Sequence, residues 1–211
     1  MELADVLLAI EFMDRKALAL VEQKMGYKDP FNEAHAFYVL VEVSSSSEQR
    51  LVAFMEQLEG KFDDGIVPQS AQQVQEVWKL RETVAESFIK YGQTYKYDLS
   101  LDKSAFYRIV EEVQTRIVQS PVLTTEEKSV IKVSGYGHIG DGNLHLNVGM
   151  PGYQNKQLHH KVHEILEPFV FDFVRTHKGS VSAEHGVGLQ KKDYLSYSKS
   201  DELIEYMKLI K

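Results

Sequence analysis

Leu3, Val6, Leu7, Ile10, Met13, Ala17, Val21 and Met25 recur at helical spacing and stop at Gly26, which predicts a long amphipathic helix at the start. Residues 36–43 (AFYVLVEV) are a β-branched and aromatic run, the pattern of a buried strand. Ser45 and Glu48 have capping-box spacing for a helix ending at Gly60, and Ile66-Val67 offers a short strand before Pro68. Ser70 and Gln73 then cap a second long helix with Val74, Val77, Leu80, Val84 and Phe88 on one face, closed by Gly92. Tyr95–Leu99 reads as a strand. Asp102 is placed to cap a helix reaching about Val118, and Ser120–Lys128 reads as a polar loop around Pro121.

The glycines then change the picture. Six of 13 (135, 137, 140, 142, 149 and 152) fall in one short stretch flanked by the apolar segments 130–133 and 144–150. A helix from about Asn155 to His177 follows, closed by Gly179, and Asp201–Lys211 is a last helix. Strands separated by long helices, with one tight hairpin signal at Asp141-Gly142, predict an α+β fold: an antiparallel sheet with helices packed on one face.

Composition narrows the chemistry. The 211 residues carry 24 Lys+Arg against 31 Asp+Glu, a net charge of −7, which disfavours a phosphate backbone as partner. No apolar run approaches the roughly 18 residues that a membrane-spanning helix needs. There is no Cys, so disulfides, thiolate metal ligands and thiol nucleophiles are excluded, and any metal must rely on His, carboxylate or carbonyl donors. The first residues have neither the basic start of a signal peptide nor the Arg/Ser composition of a transit peptide.

Gly135, Gly137 and Gly140 spell G-x-G-x-x-G, but a dinucleotide fingerprint must open a helix, and here the following residues alternate with period two, as in a strand. Leu144, Leu146 and Val148 then point one way, Asn143, His145 and Asn147 the other. With Asp141-Gly142 turning the chain, His138 can face His145; two imidazoles without Cys suit zinc or another imidazole-binding divalent metal with a carboxylate as third ligand, or simply a hydrogen-bonded hairpin. Glu184-His185 offers such a carboxylate beside a titratable ring, or an exposed charged turn. His159, His160 and His163 look like metal spacing but fall on the solvated face of their helix. Arg81 lies beside Trp78, and Lys96 lies between two Tyr inside a strand; each suits a substrate carboxylate or a snorkelling surface cation, with Asp98 as an internal partner for Lys96.

The run GYGHIGDGNLHLNV (135–148) followed by SVSAEHGVGLQK (180–191), together with AIEFMDRKAL, VWKLRE and YKYDLSL, resembles the C-terminal substrate domain of FAD-linked D-2-hydroxyacid dehydrogenases, a branch of the vanillyl-alcohol-oxidase flavoprotein superfamily. Within it, the enzymes oxidising D-2-hydroxyglutarate match before those oxidising D-lactate. The resemblance covers nearly the whole chain, 1–211 as one domain, and implies a ferredoxin-like antiparallel sheet with helical additions. It implies zinc held by His138, His145 and Glu184, substrate contacts from Arg81, Lys96 and Asn147, and His185 as the catalytic base. Ala85 stands where a hydroxyl-bearing substrate residue is often found.

The cofactors implied are FAD and zinc. The partners implied are a small 2-hydroxyacid, a flavin domain or subunit, and an electron acceptor such as an electron-transfer flavoprotein or cytochrome c. The implied flavin domain and a short C-terminal tail are missing from the chain, which alone is expected to be inactive. The expected location is mitochondrial in a eukaryote and cytoplasmic in a bacterium. Rival readings are D-lactate or glycolate as substrate, a zinc hydrolase in which His185 activates water, and a non-catalytic small-acid binding module.

Overall fold

The computed structural model describes residues 3–210, Gln190 by its backbone alone. The chain divides into two compact units, Met1–Ser87 with Tyr136–Gly140, and Phe88–Gly135 with Asp141–Lys211. The strands follow the order β2-β1-β4-β5-β3, and the registered pairs are antiparallel, an α+β fold as the pattern predicts.

In the first unit, the predicted opening helix is instead a strand followed by a helix: β1 (Leu7–Asp14) and α1 (Arg15–Met25). LLAIEFMD is apolar at nearly every position, so it satisfies period 2 as well as period 3.6, and pairing on both sides decides for the strand. Asp14 marks the switch, its side chain accepting from the Ala17 N–H at 2.8 Å as an N-cap. β2 (Phe37–Val43) lies where a strand was expected but, as an edge strand, is only partly buried: Tyr38 is buried, whereas Phe37 is 47% and Val39 56% exposed.

The predicted capping box at Ser45 is absent. Residues Ser45–Ser47 form a short 3₁₀ turn, and α2 (Glu48–Gln57) starts without a side-chain cap. Ile66-Val67 pairs with no strand among the described residues. α3 (Ala71–Glu82) is capped as predicted, Ser70 accepting from the Gln73 N–H, but the single long helix breaks at Thr83, whose hydroxyl donates back to the Lys79 carbonyl at 2.6 Å. Beyond the break, α4 (Val84–Tyr91) spans the boundary of the two units; Leu80, Val84 and Phe88 are buried on the predicted face.

In the second unit, β3 (Gly92–Ser100) and β5 (Asn143–Pro151) pair in unbroken register from Gly92 opposite Pro151 to Ser100 opposite Asn143. α5 (Arg108–Gln119) starts later than expected, since Asp102 spends its carboxylate on a turn with Ser104 instead of capping the helix. The presumed polar loop contains a helix, α6 (Thr125–Val130), whose capping box is Thr124 with Glu127. β4 (Lys132–His138) carries Gly135 and Gly137 inside a strand, so the glycine fingerprint indeed leads to no helix.

The predicted helix 155–177 is two helices, α7 (Lys156–Leu166) and α8 (Phe169–Thr176), divided at Pro168, which lacks the N–H that a continuous helix needs. α5, α7 and α8 contact one another, and Ile109, Val110, Val113, Val162, Leu166 and Val170 are fully buried. So are Leu99, Leu144, Leu146 and Val148, the apolar face of β3 and β5. Gly149 sits on that strand pair without a side chain for a reason: a Cβ there would lie 2.8 Å from the buried Phe88 ring. α9 (Gly188–Lys191) and α10 (Asp201–Ile210) follow the Glu184 segment; Lys211 lies outside the described residues.

Candidate metal and substrate site

Directly opposed residues of an antiparallel pair share a face. In β3 and β5 the opposed pairs Lys96–Asn147, Asp98–His145 and Ser100–Asn143 therefore line one face, while Tyr97–Leu146 and Leu99–Leu144 line the other. Asn143, His145 and Asn147 share a face as the sequence pattern suggested, and the register adds Lys96 to it. Asn143 and Asn147 are buried, whereas Lys96 is exposed.

Asp98 organises this face. Its Oδ2 accepts from the backbone N–H groups of Ala183, Glu184 and His185 at 3.1, 3.2 and 2.9 Å, and its Oδ1 from the Asn143 amide at 2.7 Å. The carboxylate is thus not the internal partner of Lys96 that spacing allowed; it ties the Glu184-His185 segment to the strand. Burial pushes the Asp98 carboxyl up, but the His185 N–H, the Asn143 amide and the nearby His185 and Lys191 together hold it below its usual value. Lys191, 3.9 Å from Asp98, is in turn lowered by burial, against the opposing pull of that carboxylate.

Held this way, Glu184 Oε1 lies 3.3 Å from His145 Nε2. Two ligands of one tetrahedral zinc, at bond lengths of about 2.0–2.2 Å, are separated by roughly 3.3–3.6 Å. The separation of this pair matches that of two donors on one zinc ion. His185, its ring stacked at 5.8 Å on His145, is largely solvent-facing, with Nδ1 3.5 Å from Asp98 and Nε2 3.7 Å from Glu184.

The first unit holds the other candidates. Arg81, at the end of α3, and His138, at the end of β4, meet at Glu11 in the middle of β1. Glu11 is the cross-strand partner of His138, with Oε1 2.8 Å from its Nδ1, and Oε2 lies 2.8 Å from Arg81 Nη2. With Nδ1 engaged by a carboxylate, the His138 ring has its Nε2 side to offer a metal, the arrangement common to zinc-binding histidines. The Arg81 guanidinium also lies over the Tyr136 ring, 4.9 Å from its centroid.

Pattern reading missed Glu11 and the role of Asp98. Glu11 is the one charge inside the apolar run Leu7–Met13; assigned to a strand, a carboxylate there would have signalled a buried partner. Of the three helix histidines read as solvated, His160 is exposed, but His159 and His163 stack on Tyr95 at 4.6 and 5.8 Å. His159 Nδ1 also shares a hydrogen bond with the Tyr95 hydroxyl at 3.0 Å. Burial, followed by the Glu167 carboxylate, pushes that phenol up to about 12. These contacts are structural. So are those of His177, stacked on Phe173, and His35, which lies 3.7 Å from Asp63.

The family of FAD linked oxidases, C-terminal domain, matches residues 2–211. The chain belongs to this family. Among relatives, this FAD-linked oxidase C-terminal domain is 41% identical to a Schizosaccharomyces pombe protein carrying the name of a mitochondrial D-lactate dehydrogenase, over 99% of this chain and 40% of that protein. It is 37% identical to the mitochondrial D-2-hydroxyglutarate dehydrogenase of Arabidopsis thaliana, over 99% of this chain and 36% of that protein. The Bos taurus mitochondrial D-2-hydroxyglutarate dehydrogenase is 38% identical, with 99% and 37% covered. The domain thus spans about two-fifths of the length of these relatives. No helix among the described residues is long and apolar enough to cross a membrane.

Proposed function

We propose that this domain is the substrate- and zinc-binding part of an FAD-dependent D-2-hydroxyacid dehydrogenase, with D-2-hydroxyglutarate as the favoured substrate and D-lactate as the alternative. The observation that carries the reading is the face of β3 and β5, where Asp98 holds Glu184 at zinc-sharing distance from His145 and sets His185 beside them. Zinc ligation by His138, His145 and Glu184 is what the family resemblance implies, and the 3.3 Å separation of His145 and Glu184 supports it.

When bound, zinc would supply a Lewis acid for the substrate hydroxyl, and FAD, carried by a further domain or subunit, an acceptor for the α-hydride. The chain's own residues do the rest. Arg81 and Lys96 supply the positive charge that a carboxylate requires, and Asn147, opposite Lys96, supplies an amide to orient it. His185 takes the hydroxyl proton, its ring held by the segment that Asp98 fixes and open to solvent for proton release. In a eukaryote, a mitochondrial location accords with the relatives' printed locations, and the proposed electron acceptor is an electron-transfer flavoprotein or cytochrome c.

The test is steady-state oxidation by the domain assembled with its flavin domain, using an artificial electron acceptor. D-2-Hydroxyglutarate, D-malate and D-lactate should be oxidised and the L-enantiomers rejected, with D-2-hydroxyglutarate giving the highest kcat/KM. Equal use of both enantiomers, or no oxidation of any of them by flavin-loaded protein, would overturn the proposal.

A further inference from the structure

Glu11 has the environment of a residue with two tasks. It is 5% exposed in a strand whose other carboxylate, Asp14, is taken up in capping α1, a placement that is costly for a charged group unless it is paired. One oxygen meets the His138 ring and the other the Arg81 guanidinium, each at 2.8 Å. The two partners come from different elements, and neither needs the other for burial: Arg81 is 9% exposed and rests on Tyr136, while the His138 side chain is 37% exposed.

We propose that Glu11 is a positioning residue that couples the metal and substrate halves of the reaction. Through one carboxylate it sets the tautomer of His138 and the plane of Arg81. The inference rests on the reading of His138 as a zinc ligand and Arg81 as a carboxylate-binding cation. An imidazole that donates from Nδ1 to a carboxylate keeps its Nε2 lone pair for a metal and is a stronger ligand than one facing water. A guanidinium with Nη2 paired to Glu11 and its face on Tyr136 has fewer directions left open to a substrate carboxylate.

The experiment measures zinc affinity of the chain by competition with a chromophoric chelator, together with the tautomer of His138 by ¹H–¹⁵N NMR of its ring. Glu11→Gln alone leaves Arg81 buried beside a neutral group and so endangers folding; the informative comparison is Glu11→Gln/Arg81→Met against Arg81→Met. The Arg81→Met chain should bind zinc within about threefold of the unmodified chain, since Glu11 still holds His138. Adding Glu11→Gln should weaken zinc roughly 10–100-fold, the usual effect of losing a carboxylate behind a ligating histidine. It should also reduce the Nδ1-protonated tautomer in the metal-free chain. Equal zinc affinity and equal tautomer populations in the two variants would overturn the role of Glu11 and leave the zinc site standing. Unchanged zinc affinity in His138→Ala would instead overturn the zinc reading, and the proposed coupling with it.

Discussion

Replacing Asp98 by Asn tests how the Glu184-His185 segment is held. Every protein group that Asp98 contacts through a hydrogen bond is a donor: three backbone N–H groups on Oδ2 and the Asn143 amide on Oδ1. An asparagine of the same shape must therefore turn its own NH₂ toward one of these donors, whichever way it flips. At least one charge-assisted hydrogen bond is lost, worth about 1.5–3 kcal/mol, and a donor beside a 3% exposed position is left unsatisfied. The N–H groups of residues 183–185 can recover part of this by turning to water, since those residues are exposed, so a net loss of about 2–4 kcal/mol is expected. For a chain of this size that is a fall of roughly 4–16 °C in Tm. The assay is thermal unfolding, with amide hydrogen exchange at 183–185 as the local readout. Asp102→Asn is the control, because its Asx turn with Ser104 survives the change. A Tm within 1 °C of the unmodified chain, with exchange at 183–185 unchanged, would refute the claim that Asp98 anchors this segment.

Acid should act on the same anchor. Because the Asp98 carboxyl lies below its usual 3.8 in the folded chain, its contribution is fully present above that value and is lost as pH falls through the folded pKa. Asp98→Asn should therefore lose less stability between pH 5 and 3 than the unmodified chain, as read by denaturant midpoints. Gly149→Ala pushes a methyl group against a fully buried Phe88 ring and should cost about 1–3 kcal/mol in urea unfolding; a neutral result would mean the ring has room to move. In the flavin-loaded enzyme, His185→Asn should lower kcat about 10²–10⁴-fold while zinc stays bound. Normal turnover in that variant would remove His185 as the base.

The site was legible in the chain to unequal degrees. The alternation through β5 announced both faces of that strand, and the paired imidazoles without Cys narrowed the donor chemistry. Glu184 and His185 gained weight only from the family resemblance, since a charged turn has no period; what fixes them is a carboxylate 86 residues earlier in the chain. Glu11 was hidden by an apolar run that fits a helix as well as a strand, a choice made by pairing with β2 and β4 and not by local preference. The helix breaks at Thr83 and Pro168 show the same limit from opposite sides. Proline is a visible breaker, whereas a threonine is not: Thr115 makes the same back-bond inside the unbroken α5.

The central claim, a zinc centre built from His138, His145 and Glu184, is tested most directly by elemental analysis of the purified chain and two variants. About one zinc per chain is expected in the unmodified protein, nearly none in His138→Ala, and about one again in His160→Ala, whose histidine is exposed on α7. Equal zinc in the two variants, or a chain that holds none after exposure to zinc and desalting, would contradict it.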